Sequence, residues 1–407
     1  MFKKEKTQQV VLSATDLASN QSLSSDYLVL TSDGFKNIGE ITVNDKIAVR
    51  IKDEFIEYKN PKKVISTPYS GKMYNVETRG LSILCTPNHL LYIFRGRVRG
   101  KNTPWELVPA KDIYNKNFIG FAKTGIWQKK DYQVYLPEVN IYRGPRFINK
   151  EPPVEVSMRP FLKFTGFFIA EGWVSPYNTQ RADAGRIEIS QSKLKERLWF
   201  ENVLIDLNLA AVQYFAEGSY KDPSRGRYLE EKYRIYDKQY FQFFNELNKG
   251  ARSSQKRLPD WTWELSQTQC LCLLEGLMFG DGDVELCYYT ASPGLAYDVC
   301  RLLLHCGYGF SVRIKEINPN QEFPPSQNPY VQSIVRSNYP EYVVRTLAKT
   351  KNEPVINNQN TQDKNSYDDN YIDYSGMVYD IILDDRVMYV CRNGRGFWTG
   401  CCGESLN

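Results

Sequence analysis

Two nine-residue segments, 164–172 and 274–282, each join an apolar, helix-like run with an interior glycine to an acidic residue and a final glycine. The acidic residues are Glu171 and Asp281, 110 positions apart. Interior glycines allow two helices to approach closely, and we expect the final glycine to end each helix in a left-handed cap. Paired carboxylates at the helix tips could bind divalent cations, as two-metal phosphodiester cleavage requires. Either segment alone also fits a glycine-containing core helix.

The order of elements after each segment also repeats. A strand ends in a small polar cluster, at 187–192 and again at 287–292, and a helix and another strand follow. Such repetition predicts a pseudo-twofold domain. The paired segments resemble the motifs of LAGLIDADG homing endonucleases over about residues 125–350, although Glu171 replaces the usual Asp. The resemblance implies cleavage of a long, asymmetric double-stranded DNA site, with Mg²⁺ held by Glu171 and Asp281.

A basic block, 256–259, precedes the second segment. It resembles the Lys-x-hydrophobic-Pro block of intein endonucleases, which implies that Lys256 stabilises transition-state charge or activates water. A solvated lysine before a helix-starting proline would explain the same residues. We expect phosphate contacts on the sheet of this domain from basic residues among Arg181, Arg186, Lys193, Lys195 and Arg313.

The two ends of the chain carry further ordered blocks. Residues 22–34 resemble the first block of inteins, and Thr-Pro-Asn-His at 86–89 resembles their Thr-x-x-His block. Residues 378–380 and 389–400 resemble the closing blocks. Four matches in order, bracketing the endonuclease-like segment, make chance improbable. The resemblance implies protein splicing, in which an insert excises itself and ligates the flanking host segments, the exteins, without a cofactor.

The resemblance assigns the first junction to three side chains. Ser22 would attack the carbonyl of Gln21 and exchange an amide for an ester. His89 would protonate the leaving nitrogen, since imidazole titrates nearest neutral pH, and Thr86 would orient the strained bond. A turn with a satisfied histidine would explain the segment from Thr86 to His89 if it stood alone.

At the second junction Cys402 is the natural nucleophile, and a thiol near its reference pKa of about 8.5 would supply some thiolate at neutral pH. Asp380 matches the closing-block Asp and could take up or steer the thiol proton.

Several positions depart from the intein pattern. Cys401 stands where the terminal Asn is expected and cannot form the succinimide that cuts the second junction. Val387 replaces the closing-block histidine, and Gly400 the penultimate one. Ser22 replaces a more usual Cys, which would slow the first step. We expect this form to splice poorly or not at all, held before the last step or released by another route.

The elements needed to position these residues suggest a divided architecture. Short strands separated by Asp-Gly, Asn-Pro and Ser-Gly turns fill residues 26–95, and helical spacing begins near residue 155. We predict a discontinuous all-β Hint splicing domain interrupted by an inserted α/β, pseudo-twofold endonuclease domain. The predicted boundaries are an N-extein fragment at 1–21, Hint residues 22–125, the endonuclease at 126–350, a polar linker at 351–372, Hint residues 373–401 and a C-extein fragment at 402–407.

The composition is that of a globular protein of two or three domains. Of 407 residues, 42% are hydrophobic. The net charge is +5, and no basic tail indicates binding to nucleic acid. Nine cysteines without paired CxxC spacing favour a reducing compartment. The sequence has neither an apolar signal region nor the roughly 18 apolar residues that span a bilayer, so we expect a cytoplasmic monomer without a membrane partner.

The flanking residues suggest a host. Joining 18–21 to 402–405 gives a sequence that resembles the active-site loop of ribonucleotide reductases. Two alternatives to an intein remain open. A free-standing endonuclease or RNA maturase would not need Ser22 or Cys402, and a hedgehog-like autoprocessing module would need neither a rear nucleophile nor an endonuclease.

Overall fold

The computed structural model describes residues 21–52, 54–98, 101–142, 148–177, 184–191, 193–219, 227–248, 252–316, 339–347, 354–356 and 369–402. These residues form two compact units. Unit 1 draws on Met1–Trp127, Gly307–Ser311 and Leu347–Asn407, and unit 2 on Gln128–Cys306 and Val312–Thr346.

Up to residue 127 the described chain consists mainly of strands. They are β1 (Leu23–Ser24), β2 (Leu28–Thr31), β3 (Gly34–Asn37), β4 (Ile47–Ile51), β5 (Phe55–Lys59), β6 (Lys63–Glu77), β7 (Ser82–Cys85), β8 (Leu90–Arg95), β9 (Arg97–Val98), β10 (Lys101–Asn102), β11 (Glu106–Pro109), β12 (Ile119–Phe121) and β13 (Ile126–Trp127), with the short helix α1 (Ala110–Ile113).

From residue 128 strands and helices alternate. The strands are β14 (Tyr135–Leu136), β15 (Val139–Tyr142), β16 (Ile148–Glu151), β17 (Val154–Glu155), β18 (Gly172–Pro176), β19 (Gly185–Ser190), β20 (Ala211–Ser219), β21 (Arg227–Ile235), β22 (Cys287–Thr290), β23 (Gly309–Lys315) and β24 (Glu341–Leu347). The helices are α2 (Met158–Glu171), α3 (Leu194–Asp206), α4 (Lys238–Asn248), α5 (Gln267–Asp281) and α6 (Pro293–His305).

The last described elements are again strands and belong to unit 1. They are β25 (Val355–Ile356), β26 (Asn370–Ile382), β27 (Val387–Arg392) and β28 (Arg395–Gly400). The predicted linker at 351–372 contains all of β25 and the first three residues of β26. β25 pairs with β12, and β26 begins at residue 370, so the linker prediction is wrong at these positions. Residues 351–353 and 357–368 lie outside the described ranges.

Unit 1 is built from β-sheets. Strands β1, β26, β6 and β7 form a closed barrel, and β11, β8, β12 and β25 form a four-stranded sheet. A further series of hydrogen-bonded strands in unit 1 has the order β13, β5, β4, β2, β27 and β28, and β3 pairs with β2. The long strands β6 and β26 pair antiparallel from Lys63↔Ile382 to Asn75↔Asn370. The final strands therefore complete a sheet begun near the start of the chain.

Local sequence explains the tight turn that ends this unit. Asn393 and Gly394 both have positive φ, 47° and 73°, and join β27 to β28. Positive φ at both central residues is the requirement of a two-residue type I′ hairpin, for which Asn-Gly is the preferred sequence. Every residue of β27 is buried, as expected of a strand covered on both faces.

Unit 2 places its helices against antiparallel strands. The order β18, β19, β21 and β20 gives one four-stranded sheet, and β22 pairs with β24. Each long glycine-containing helix is followed by strand and helix elements, α2 by β18, β19 and α3, and α5 by β22 and α6. Within the described residues, no helix is both long and apolar enough to cross a membrane.

Candidate functional site

Sheet pairing in unit 1 brings residues from distant parts of the chain together. Leu23 pairs with both Tyr379 of β26 and Cys85 of β7, which places Ser22 beside Thr86. Just beyond β26, the Leu383 amide donates to the Cys402 carbonyl oxygen at 3.1 Å. The segment that begins at Ser22 and residue Cys402 thus both lie beside β26 and its end.

Thr86 holds the peptide unit of Ser22. The Ser22 N–H donates to Thr86 Oγ1 at 2.9 Å, and the Thr86 N–H donates to the Ser22 carbonyl oxygen at 2.9 Å. Ser22 and Thr86 are both buried. The nitrogen that would leave in the first step is therefore held by a hydroxyl group.

His89 contacts the other side of the same junction. Its Nδ1 lies 3.1 Å from the Gln21 carbonyl oxygen, and its Nε2 lies 3.0 Å from Thr399 Oγ1. A carbonyl oxygen can only accept, so Nδ1 carries the proton. Burial lowers the pKa of His89 to about 4, with the Gln21 carbonyl opposing that shift. The expected titration near neutral pH is thus not found, and the N–H points at the carbonyl oxygen rather than at the leaving nitrogen.

Cys402 lies against the residue that precedes the first junction. Its thiol has two acceptors within reach of its one proton, Gln21 Oε1 at 3.0 Å and the Asp380 carboxyl, and the Cys402 backbone amide donates to Asp380. Burial raises the pKa of Asp380 to about 6. Burial first, and then the Asp380 charge, raise the pKa of the Cys402 thiol. The raised pKa contradicts the expectation that Cys402 supplies thiolate at neutral pH.

The residues just before Cys402 are packed tightly. Cys401 is 1% exposed and belongs to the apolar core of unit 1, and burial raises its pKa. A Cβ atom on Gly400 would lie 2.4 Å from the Leu90 carbonyl oxygen, so a side chain at 400 requires the backbone to move. Val387, at the closing-block histidine position, is buried.

In unit 2 the interior glycines of α2 and α5 face each other's backbones. A Cβ atom on Gly166 would lie 2.3 Å from the Leu273 carbonyl oxygen, and one on Gly276 would lie 2.1 Å from the Lys163 carbonyl oxygen. Real Cβ contacts are not this short, so the two helices touch through backbone atoms.

This contact brings the acidic helix ends together. Burial and the neighbouring Asp281 charge raise the pKa of Glu171 to about 7, and burial also raises the pKa of Asp281. The expected left-handed caps are wrong, because Gly172 and Gly282 have φ of −102° and −97°. These glycines are required by close contact instead: a Cβ atom on either would lie under 3 Å from the preceding helical turn.

Lys256 binds the end of α2. Its Nζ donates to the carbonyl oxygens of Ile169 and Ala170 at 2.6 and 2.8 Å. Burial lowers its pKa, while the charges of Asp281 and Glu171 raise it. A cation at a helix C-terminus satisfies carbonyls that have no helical partner. Lys256 is therefore not the solvated lysine that was the alternative explanation.

Sequence reasoning missed the residues that hold Lys256 in place. Ser292, which caps α6, donates to the Lys256 carbonyl oxygen at 2.7 Å. Buried Asp298 accepts from Arg257 in a bidentate pair and from the Leu258 amide. The Ser-Pro sequence at the start of α6 could have predicted Ser292 as the N-cap. No sequence pattern indicated the role of Asp298.

The helix ends suit a divalent cation. Gln191 donates to Glu171 at 3.1 Å, and exposed Lys193 lowers the pKa values of both carboxyls. No group of three or more His, Cys, Asp and Glu ligands occurs in the described chain. Mg²⁺ nevertheless binds through one or two carboxylates together with water and substrate phosphates, so two carboxylates fit it.

One face of the β18–β21 sheet carries basic and aromatic side chains around buried Glu188, which pairs with Arg186 and Arg234. Arg186, Lys232 and Arg234 lie over aromatic rings, and Arg234 is 3.8 Å from the Tyr214 ring centre. Sequence reasoning had named Arg186 but missed Lys232 and Arg234, which become visible only through strand register. The other predicted phosphate contacts are distributed differently: Lys193 lies beside the carboxylates, Lys195 and Arg313 are exposed, and Arg181 lies outside the described residues.

Two relatives resemble large parts of the chain. The ATP-dependent Clp protease proteolytic subunit of Chlamydomonas moewusii is 32% identical over 307 residues, which are 74% of this chain and 29% of the relative. The DNA-directed RNA polymerase subunit beta C-terminal section of Stigeoclonium helveticum is 26% identical over an alignment of 426 positions, which covers 93% of this chain and 36% of the relative. The chain thus spans about a third of the length of each relative. No protein-family model matches the sequence.

Two solved structures each resemble less than half of the chain. The homing endonuclease I-DmoI in complex with DNA and Mn covers 46% of this chain and 89% of its own, with 12% identity and a TM-score of 0.29. The AceL NrdHF class 3 split intein covers 33% of this chain and 76% of its own, with 19% identity and a TM-score of 0.20.

Proposed function

We propose that the chain is a self-excising protein insert that also carries a DNA endonuclease. The observation that carries the proposal is the hydrogen bond of 3.0 Å between Cys402 and Gln21, residues 381 positions apart, next to His89 and Thr86. A free-standing nuclease has no need to bring its two ends together, and an autoprocessing module that cuts only its front junction has no need of Cys402.

The first step follows from the contacts at residue 22. Ser22 Oγ attacks the Gln21 carbonyl carbon, a C–O bond replaces the C–N bond, and the hydroxyl proton passes to the freed amine. The His89 N–H stabilises the negative charge that develops on the carbonyl oxygen. Thr86 holds the leaving nitrogen.

The second step transfers the resulting ester to sulfur. Cys402 Sγ attacks the ester carbonyl, Asp380 accepts the thiol proton, and the Ser22 hydroxyl is released as its own oxygen recovers a proton. Cys401 supplies no side-chain amide to cut the last bond. The proposed outcome is a chain that stops at the branched intermediate.

The similarity to two differently named polypeptides supports an insert. A stretch shared by a protease subunit and a polymerase subunit, and amounting to 29% and 36% of them, is what an element that enters unrelated hosts would leave. The ribonucleotide reductase host and the cytoplasmic location stay predictions.

The endonuclease proposal rests on unit 2. Glu171 and Asp281 would hold Mg²⁺, which when bound would neutralise phosphate charge and lower the pKa of water. Lys256 holds the end of α2, Gln191 donates to Glu171, and the sheet face with Arg186 and Arg234 would bind the phosphates of double-stranded DNA.

Mass spectrometry of the expressed chain tests the splicing proposal. We expect hydroxylamine to release residues 1–21 from the wild-type chain, by cleaving the ester at Ser22 or the thioester at Cys402, and not from Ser22→Ala. Restoring the amide with Cys401→Asn should yield ligated product lacking residues 22–401. Equal cleavage in the wild type and in Ser22→Ala would reject splicing, and efficient ligation by the wild-type chain would reject the stalled state alone.

A further inference from the structure

We infer that Thr399 is a positioning residue that fixes His89 in its Nδ1–H tautomer and so directs the imidazole N–H at the Gln21 carbonyl oxygen. This inference rests on the proposed splicing function and adds a residue to its first step. Thr399 lies within residues 389–400, which resemble a closing block of inteins, and the resemblance assigned it no role.

The hydrogen-bond directions follow from the atoms available. The Gln21 carbonyl oxygen has no proton, so the Nδ1 contact at 3.1 Å requires Nδ1–H. In a neutral imidazole the other nitrogen must then accept, and the hydroxyl proton of Thr399 is the donor 3.0 Å from it. Within the described chain, Thr399 Oγ1 makes no other hydrogen bond, so its single proton is available for Nε2.

Burial makes the two hydrogen bonds of His89 determine which tautomer it adopts. Thr399 is 0% exposed and His89 is 1% exposed, so water cannot substitute for either partner. The opposite tautomer would turn the Nδ1 lone pair towards the Gln21 oxygen and leave two acceptors facing each other. It would also require Thr399 to accept at Nε2–H and would leave the threonine proton without a described partner. An unpaired buried polar group costs free energy, so the observed tautomer is favoured from both sides of the ring.

The backbone around Thr399 is fixed independently of His89. Thr399 pairs with Met388 in the β27–β28 hairpin, and the adjacent Trp398 amide donates to the Ala122 carbonyl oxygen at 2.9 Å. A residue in the last strand of unit 1 thus sets the protonation pattern at the first junction. The donor to the developing oxyanion is available only when the last strand has docked.

Nitrogen NMR tests the tautomer directly, because the chain contains only two histidines, His89 and His305. A ¹⁵N-histidine sample at neutral pH, assigned with a His89→Gln variant, should show a protonated Nδ1 and an unprotonated Nε2 for His89. Thr399→Val should move these shifts towards a tautomer mixture, and Thr399→Ser should retain the wild-type pattern. A wild-type Nε2–H tautomer, or unchanged shifts in a folded Thr399→Val protein, would overturn the inference.

A kinetic measurement supplies the functional readout. The rate of hydroxylamine-dependent cleavage at residue 21 should fall about tenfold in Thr399→Val, the loss expected for one misdirected hydrogen bond, and should stay within about twofold in Thr399→Ser. If Thr399→Ser also lost the rate while retaining the tautomer, the positioning role would be rejected. If no variant and no wild-type sample were cleaved while the NMR pattern held, the splicing proposal would fail and the tautomer assignment would stand.

Discussion

At the scale of single residues, burial sets the protonation of both sites. It lowers the pKa of His89 to about 4 and raises those of Asp380 and Glu171 to about 6 and about 7. Desolvation disfavours the charged form, so an imidazole becomes a weaker base and a carboxyl a weaker acid. At neutral pH the histidine is a neutral hydrogen-bond donor, and the carboxyls can exchange protons.

Chemical labelling should reveal the effect of Asp380 on Cys402. In a Ser22→Ala background, where Cys402 keeps a free thiol, iodoacetamide should label Cys402 selectively, because Cys402 is half-buried and the other eight cysteines are buried. Asp380→Asn removes the charge that helps to raise the thiol pKa, and a fall of one pKa unit would speed labelling about tenfold near neutral pH. Peptide mass spectrometry between pH 6 and 9 gives the rate. Asp373→Asn, an exposed position on the same strand, is the control, and equal rates in both variants would contradict the prediction.

The stability of unit 2 should depend on Glu171. Its pKa of about 7 lies above the usual value near 4.5, so its stabilising contribution is present below pH 4.5 and is lost as pH rises through 7. Glu171→Gln should therefore raise the unfolding temperature at pH 8 by a few degrees, about what a gain near 1 kcal/mol gives a domain of this size.

Adding Mg²⁺ at pH 8 should stabilise the wild-type unit and have little effect on Glu171→Gln, since a bound cation relieves the same repulsion. Thermal unfolding followed by hydrogen exchange of unit 2 peptides measures both effects. Glu285→Gln, at an exposed carboxyl, should behave as the wild type. A destabilised Glu171→Gln at pH 8 would show that the carboxylate is not under strain.

The residue types of both sites could be predicted from the sequence because their chemistry restricts the choice. Ser22, His89 and Cys402 were named from blocks, and the structure brings them together through Gln21. Their pKa values could not be predicted, since they depend on burial. Thr399 could not be assigned either, because its contact crosses 310 positions of sequence.

At the scale of elements, the α2–α5 contact determines where the carboxylates lie. Gly166 and Gly276 allow the two helices to meet through backbone atoms, and each helix then runs directly into an extended glycine. The close approach was predictable from the interior glycines. The extended end was not, because a terminal glycine is equally compatible with a left-handed cap.

Substituting these helix glycines should destabilise unit 2. Gly166→Ala gains about 1 kcal/mol of helix propensity, but its Cβ would lie 2.3 Å from a backbone oxygen that no side-chain rotation can move. Overpacking costs of about 1–3 kcal/mol should therefore exceed the gain and separate the helices.

Denaturant unfolding should show a net loss for Gly166→Ala and Gly276→Ala, together with weaker Mg²⁺ binding. Gly80→Ala is the control, because its Cβ meets only the Pro354 side chain at 3.4 Å. Helix variants as stable as this control would mean that the helices are less closely packed than described.

At the scale of the whole molecule, each site is complete within one unit. Ser22, His89, Asp380 and Cys402 belong to unit 1, whereas Glu171 and Asp281 belong to unit 2. The ordered blocks predicted that these two sets of residues lie in different domains. Residues 307–311 belong to unit 1 although the chain on both sides of them belongs to unit 2. This could not be predicted, because nothing in their sequence distinguishes them from their neighbours.

The two activities should therefore be separable by single substitutions. His89→Gln should reduce cleavage at residue 21 at least about 100-fold and leave DNA cleavage unchanged, since removal of an oxyanion donor costs this much. Glu171→Gln should reduce DNA cleavage and leave cleavage at residue 21 unchanged. Both reactions are measured on the same preparations, by hydroxylamine release and by nicking of plasmids that carry candidate sites. Loss of both activities in either variant, with folding intact, would show that the sites are coupled.

The long pairing of β6 with β26 has a consequence for how the protein is made. Asn75 meets Asn370, so β6 leaves the ribosome nearly three hundred residues before its partner. At roughly 5–20 residues per second, this delay is on the order of 15–60 seconds. Unit 2 is nearly continuous in the chain and can fold during that interval, whereas the junction chemistry must wait until translation has passed the final strands. If the chain excises itself as proposed, this order of synthesis delays cleavage at residue 21 until the final strands have been made.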